Sequence, residues 1–148
     1  MSLITRLADA IAASIFAGYS GQHVEVLRSW DAREKLQDLG DKWRITIIPQ
    51  ARKYTADTRE CDVAEKAVVV AFEKRVSADA VPMIDECDAF VEANIDRLRQ
   101  IELPGLPEAE FVEISNEPLL NWKKLADDQV FESALLVKFN LPVELEPS

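Results

Sequence analysis

The chain has 148 residues, 48% of them hydrophobic and 30% charged, a composition that fits one globular domain and neither a disordered nor a membrane-embedded chain. Seventeen basic against 27 acidic residues give a net charge of −10 and a pI near 4.6. Tight nucleic-acid binding draws on clustered Lys and Arg, so this balance argues against it.

Ser2 is placed to cap a first helix, in which Ile4, Leu7, Ile11 and Ile15 recur at helical spacing until Gly18 ends it. The apolar run Ile11 to Ala17 behind Arg6 imitates a signal peptide, but it is short and Asp9 stands at its start, so an intracellular start is expected. No apolar run approaches the ~20 residues of a membrane span. After the turn Gly18 to Gly21, the alternation of Val24, Val26 and Trp30 with Glu25, Leu27 and Ser29 predicts a strand. Asp31 to Leu39 is charged, and Gly40 closes it. Trp43, Ile45 and Ile47 then alternate with Arg44, Thr46 and Ile48, and Pro49 is expected to stop the ladder.

Gln50 to Asp62 is a polar, charged connection, longer than a hairpin needs. On that ground a short Gly-Ser turn is expected to replace Ala51 to Glu60 at little cost to the fold. Val63 to Val76 predicts a long central strand, with Val68, Val70 and Phe72 on one face and Ala67, Val69 and Ala71 on the other. Ser77 or Asp79 is placed to cap the next helix, Pro82 to Gln100, which stacks Ile84, Cys87, Val91, Ile95 and Leu98 on one side. Beyond the Leu103 to Pro107 turn, Phe111, Val112 and Ile114 suggest a short strand that Asn116-Glu117-Pro118 breaks. A polar loop through Trp122 and Asp128 leads to a closing strand of alternating Phe131, Leu135, Val137, Phe139 and Leu141. Residues 143–148 are expected to be a loose tail. The order predicts a single α+β domain over residues 1–148, a mostly antiparallel sheet with the N-terminal helix and the long helix packed on it.

Little in the chain speaks for catalysis. His23 is the only histidine, with Ser20 and Gln22 beside it, and four glycines form no phosphate cradle. Cys61 and Cys87 have no redox or metal spacing and are expected to be free thiols. Asp85, Asp88, Glu92 and Asp96 run down the long helix and could hold a hard divalent ion, but they flank its apolar stripe as solvated positions must. No cofactor or metal site is expected. The basic candidates are Arg52-Lys53 with Arg59, and Lys123-Lys124; the loop aromatics Tyr54 and Trp122 are of a type enriched at protein interfaces.

This ordering resembles the tail-terminator or tail-completion proteins of tailed bacteriophages, also described as neck or head–tail joining proteins. The likeness rests on the helix Ser2 to Ala17, the strand Ile45-Thr46-Ile47-Ile48-Pro49, the polar loop reaching Thr58-Arg59, the strand Ala67 to Lys74 and the helix Ile84 to Leu98. The closing segment is the most specific part: Phe111 to Leu119, a charged loop, then Phe131 to Phe139. Where related sequences carry an aromatic soon after the Asn-Glu-Pro turn, this one has Leu120 and reaches Trp122.

The resemblance implies a non-enzymatic virion subunit that forms a ring, usually of six, at the head-proximal end of a phage tail. There it would end tube growth and touch the tail-tube protein on one side and the neck or head-completion protein on the other. Genomic DNA would pass through the lumen without tight binding, and assembly would take place in the host cytoplasm. Arg52, Lys53, Tyr54, Arg59, Trp122 and Lys123 are the expected interface residues. A small acidic adaptor that binds one protein partner, or a metal-dependent enzyme using the helix carboxylates, are the alternatives.

Overall fold

The computed structural model describes residues 1–19, 23–30, 39–55, 63–76 and 81–146. Arg59, Cys61, the capping candidates Ser77 and Asp79, and most of the charged segment after Trp30 lie outside the described residues.

Helix α1, Leu3–Gly18, begins where the Ser2 side chain accepts a hydrogen bond from the Thr5 amide, satisfying one of the donors that a helix start leaves open. Its Ile4, Leu7, Ile11 and Ile15 are all buried, so the periodicity has found its sheet. Five strands form that sheet: β1 (Val24–Arg28), β2 (Trp43–Lys53), β3 (Val63–Arg75), β4 (Glu110–Asn116) and β5 (Val130–Pro142), ordered β1-β2-β3-β5-β4. Only the β1–β2 pair is parallel; the others are antiparallel. The central strand is β3, whose Val68, Val70 and Phe72 are fully buried and whose Ala67 and Ala71 are nearly so on the other face. The long second helix, α2, spans Val81–Arg99 with Pro82 in its first turn, where no intrahelical donor is lost.

Ladder register puts Ile45 beside Phe72, Ile47 beside Val70, and Val70 beside Leu135, so these side chains share a face. That face carries α1 over β1, β2 and β3 and α2 over β4 and β5, closing one core. The helices meet through an aromatic chain: Tyr19 packs on Phe90, and Phe90 stacks on Trp43 at 4.2 Å. Trp43 in turn meets Phe72 and Phe131 edge-on. Asn94, a buried position that the apolar spacing did not flag, donates to the Tyr19 hydroxyl at 2.8 Å and so ties α2 to the end of α1.

Four expectations change. Trp30 does not belong to β1; it lies past the strand end and is 64% exposed. Pro49 does not stop β2. A register shift between Pro49 and Ala51 absorbs the missing N–H, and the ladder runs on through Ala51, Arg52 and Lys53, opposite Ala67, Lys66 and Glu65. The polar loop through Trp122 contains a helix, α3 (Trp122–Asp128): Asn121 Oδ1 accepts from the Lys124 amide at 3.1 Å, and Gln129, at φ 54°, closes its end. Leu120 and Leu125 occupy the two positions of a hydrophobic staple, and both reach the core. The tail is anchored as far as residue 146, because Val143–Leu145 makes a turn of 3₁₀-helix and Glu146 then pairs with Lys66.

Candidate functional site

Of the six expected interface residues, Arg59 lies outside the described residues and the other five separate into two groups. Arg52 and Lys53 end β2 and Tyr54 follows it, close to the start of β3. Trp122 and Lys123 open α3, which packs on β5 and reaches the far end of β3 through Lys124 and Glu73. Seven positions of β3 separate Lys66 from Glu73, about 23 Å at strand rise, and the odd spacing puts the two on opposite faces. These residues therefore form two surfaces rather than one.

At the first surface Lys66 is on the core side of β3 and only 1% exposed. Its ammonium donates to the Tyr54 hydroxyl at 2.8 Å and to Glu146 Oε1, and it also lies over the Tyr54 ring. Tyr54 donates its own proton to the same carboxylate oxygen. The hydrogen bond from Lys66, reinforced by that from Tyr54, holds the Glu146 carboxyl below the usual carboxylate range. Ser2, Leu3 and Arg52 complete a hollow of about 280 Å³ around this trio. Arg52 also borders a second hollow of about 320 Å³, with Ile4, Trp30, Pro49, Gln50 and Ala51. Glu146 was absent from the sequence-based candidates because its partner is eighty residues away. A buried lysine in a strand was the only available signal.

At the second surface the segment between β4 and β5 is sewn to β5. The Asn116 amide donates to Ser133 Oγ at 2.9 Å and to the Ala134 carbonyl at 2.8 Å, and the Asn121 backbone N–H donates to the Glu132 carbonyl. Lys124 then reaches under the sheet to Glu73 at 2.7 Å and to Glu132. Burial opposes the charge on Lys124, but its hydrogen bonds to Glu132 and Glu73 outweigh that, and its pKa is raised. This network orients α3 so that Trp122 projects outward, 73% exposed, near exposed Leu119.

The remaining candidates do not converge. Asp85, Asp88, Glu92 and Asp96 are all exposed along α2, and among the described residues no group of three or more His, Cys, Asp or Glu could hold a metal ion. His23 is exposed. Cys87 is free and buried, with its thiol pushed up to about 11 by burial, which leaves it unreactive at neutral pH. Among the described residues no helix is long and apolar enough to cross a membrane. Comparison with known protein families and with curated proteins finds no match.

Proposed function

We propose that this chain is a structural subunit of a phage virion, assembling head-to-tail into a closed ring at the head-proximal end of the tail. One observation carries the reading: large apolar side chains are exposed at both edge strands, Trp30 just past β1 and Val112 on β4, with Leu119 and Trp122 in the segment that follows β4. Trp30 follows β1 at one edge, 64% exposed, while at the other edge β4 carries exposed Val112 and the chain runs on through exposed Leu119 to Trp122 on α3, which packs on β5. Four strand spacings separate the edges, about 19 Å. A rotationally closed ring needs two different surfaces on opposite sides of each subunit, and large exposed aromatics are the usual anchors of such contacts. The net charge of −10 suits a lumen through which DNA must slide without being gripped. The tail-tube protein and a neck component would take the ring's two rims.

Alanine variants at the two tryptophans test the head-to-tail arrangement. Trp30→Ala and Trp122→Ala should each fail to form rings alone. Mixed, they retain one intact junction per pair and should give a one-to-one heterodimer by native mass spectrometry. Assemblies of wild-type size from either variant alone would overturn the arrangement.

A further inference from the structure

The hollow at the start of α1 holds two cations and one carboxylate. Arg52 and Lys66 are register partners on β2 and β3, so their side chains stand on the same face with Cβ atoms about 5 Å apart. Lys66 is buried and answered by Glu146, since a buried ammonium without a counter-charge is strongly unfavourable. Arg52 is exposed and borders both hollows; its charge adds to that of Lys66 in holding the Glu146 carboxyl below its ordinary range, without a hydrogen bond to that carboxylate among the described residues. Glu146 binds through Oε1 alone; its Oε2 accepts no hydrogen bond from a described residue. Two cations of the hollow thus share one carboxylate, which leaves room in charge for a second.

The chain itself shows what fits. Glu146 follows Leu145 and Glu144, and in an extended segment two glutamates one residue apart point the same way, about 6.6 Å from each other. That spacing, somewhat wider than the separation of Arg52 and Lys66, is within the reach of their long side chains. Docked on its own subunit, the segment cannot use both carboxylates, because it leaves β5 at Pro142, coils as a 3₁₀ turn over Val143–Leu145, and leaves Glu144 exposed. A segment arriving from another subunit is free of that constraint. Among the described residues of the chain end, Leu145 packs on the core and Glu146 is held by Lys66 and Tyr54, a small set of contacts to exchange.

We infer that the Arg52–Lys66 hollow is a receptor for a Glu-x-Glu chain segment, and that in the assembled particle residues 144–146 of a neighbouring copy occupy it. The receptor stands on its own geometry, while its occupant rests on the assembly proposed above. Tyr54 orients the carboxylate on Lys66.

The probe is a fluorescein-labelled peptide of residues 141–148, titrated onto the full-length Glu146→Gln variant and followed by anisotropy. Saturable binding is expected. It should be at least tenfold weaker on the wild type, whose own Glu146 competes at high effective concentration. Arg52→Ala, or a peptide with Gln at position 144, should weaken binding about tenfold, and Lys66→Met should abolish it. No binding to the Glu146→Gln variant would overturn the receptor, as would equal binding of the two peptides to it; neither result depends on Lys66→Met folding. The occupant is tested by mixing Glu146→Gln, which keeps a receptor, with Lys66→Met or Lys66→Gln, which keep a tail. A complex that forms only in the mixture supports exchange between copies. Unchanged assembly of each variant alone would reject exchange while leaving the ring intact, whereas a monomeric wild type that still binds the peptide would reject the ring and keep the receptor.

Discussion

Lys66 and Glu146 are eighty residues apart in the chain and share one hydrogen-bonded ion pair, with the lysine buried and the glutamate in the last described turn. The pair makes the C-terminus part of the fold. Glu146→Gln removes the charge that answers a buried ammonium but keeps an acceptor, and the glutamate is partly solvated, so the expected cost is about 1–3 kcal/mol in urea unfolding. Lys66→Met, which replaces the cation by an apolar stem, should cost less.

The same pair sets an acid limit. The Glu146 carboxyl is held below its ordinary value by Lys66 and Tyr54, with Arg52 nearby. A depressed carboxylate contributes stability above its unfolded pKa and loses it as pH falls through the folded one. Stability of the wild type should therefore fall below about pH 4.5 more steeply than that of Glu146→Gln, as measured by thermal melts across pH 3 to 6.

At the other end of β3 the sign reverses. Lys124 has a raised pKa, so its contribution is complete below about 10.5 and is lost only as pH rises beyond that. At neutral pH, Lys124→Met leaves Glu73, 1% exposed, and Glu132 without their cation. It should destabilise by about 2–4 kcal/mol. Glu73→Gln in the Lys124→Met background should recover part of that loss, and absence of recovery would show that the charges do not matter.

Replacing Ala51 to Glu60 by a short Gly-Ser turn should lower the melting temperature by several degrees. The replacement removes three rungs of β2 and, with Tyr54, one ligand of Lys66. A melt unchanged from the wild type would mean that the end of β2 is dispensable, as the sequence alone suggested.

The sheet and its two long helices were legible because burial imposes a period. Val68, Val70 and Phe72 on β3, and Cys87, Val91 and Leu98 on α2, show it plainly. Pro49 misled because a missing N–H ordinarily ends a ladder, whereas here one register shift accommodates it. The short α3 has only seven residues, too few for a period to emerge; the signal was Asn121 with Leu120 and Leu125 around it, a cap and a staple rather than a stripe. The Lys66–Glu146 pair was illegible for a different reason. Contacts made only by the closing of a sheet leave no local pattern, and an acidic, proline-flanked chain end has the composition of a solvated one.

Duplex DNA should bind this protein no more tightly than the non-specific range of roughly 10⁻⁴ to 10⁻⁶ M at physiological salt. The net charge is −10, and the exposed Arg52 and Lys53 sit at one corner of the sheet rather than along a groove. Fluorescence anisotropy with a labelled duplex measures this directly, and submicromolar binding would remove the argument for a passive lumen.

The central claim is that the subunit closes into a ring through two unlike edges. Native mass spectrometry of the purified full-length protein, with negative-stain imaging of the same sample, tests it most directly. The account predicts a closed assembly with a mass about six times the 16.6 kDa of the chain, seen end-on as an annulus with a central hole. A protein that remains a 16.6 kDa monomer at every concentration tested, with no annular particles in the images, would contradict it.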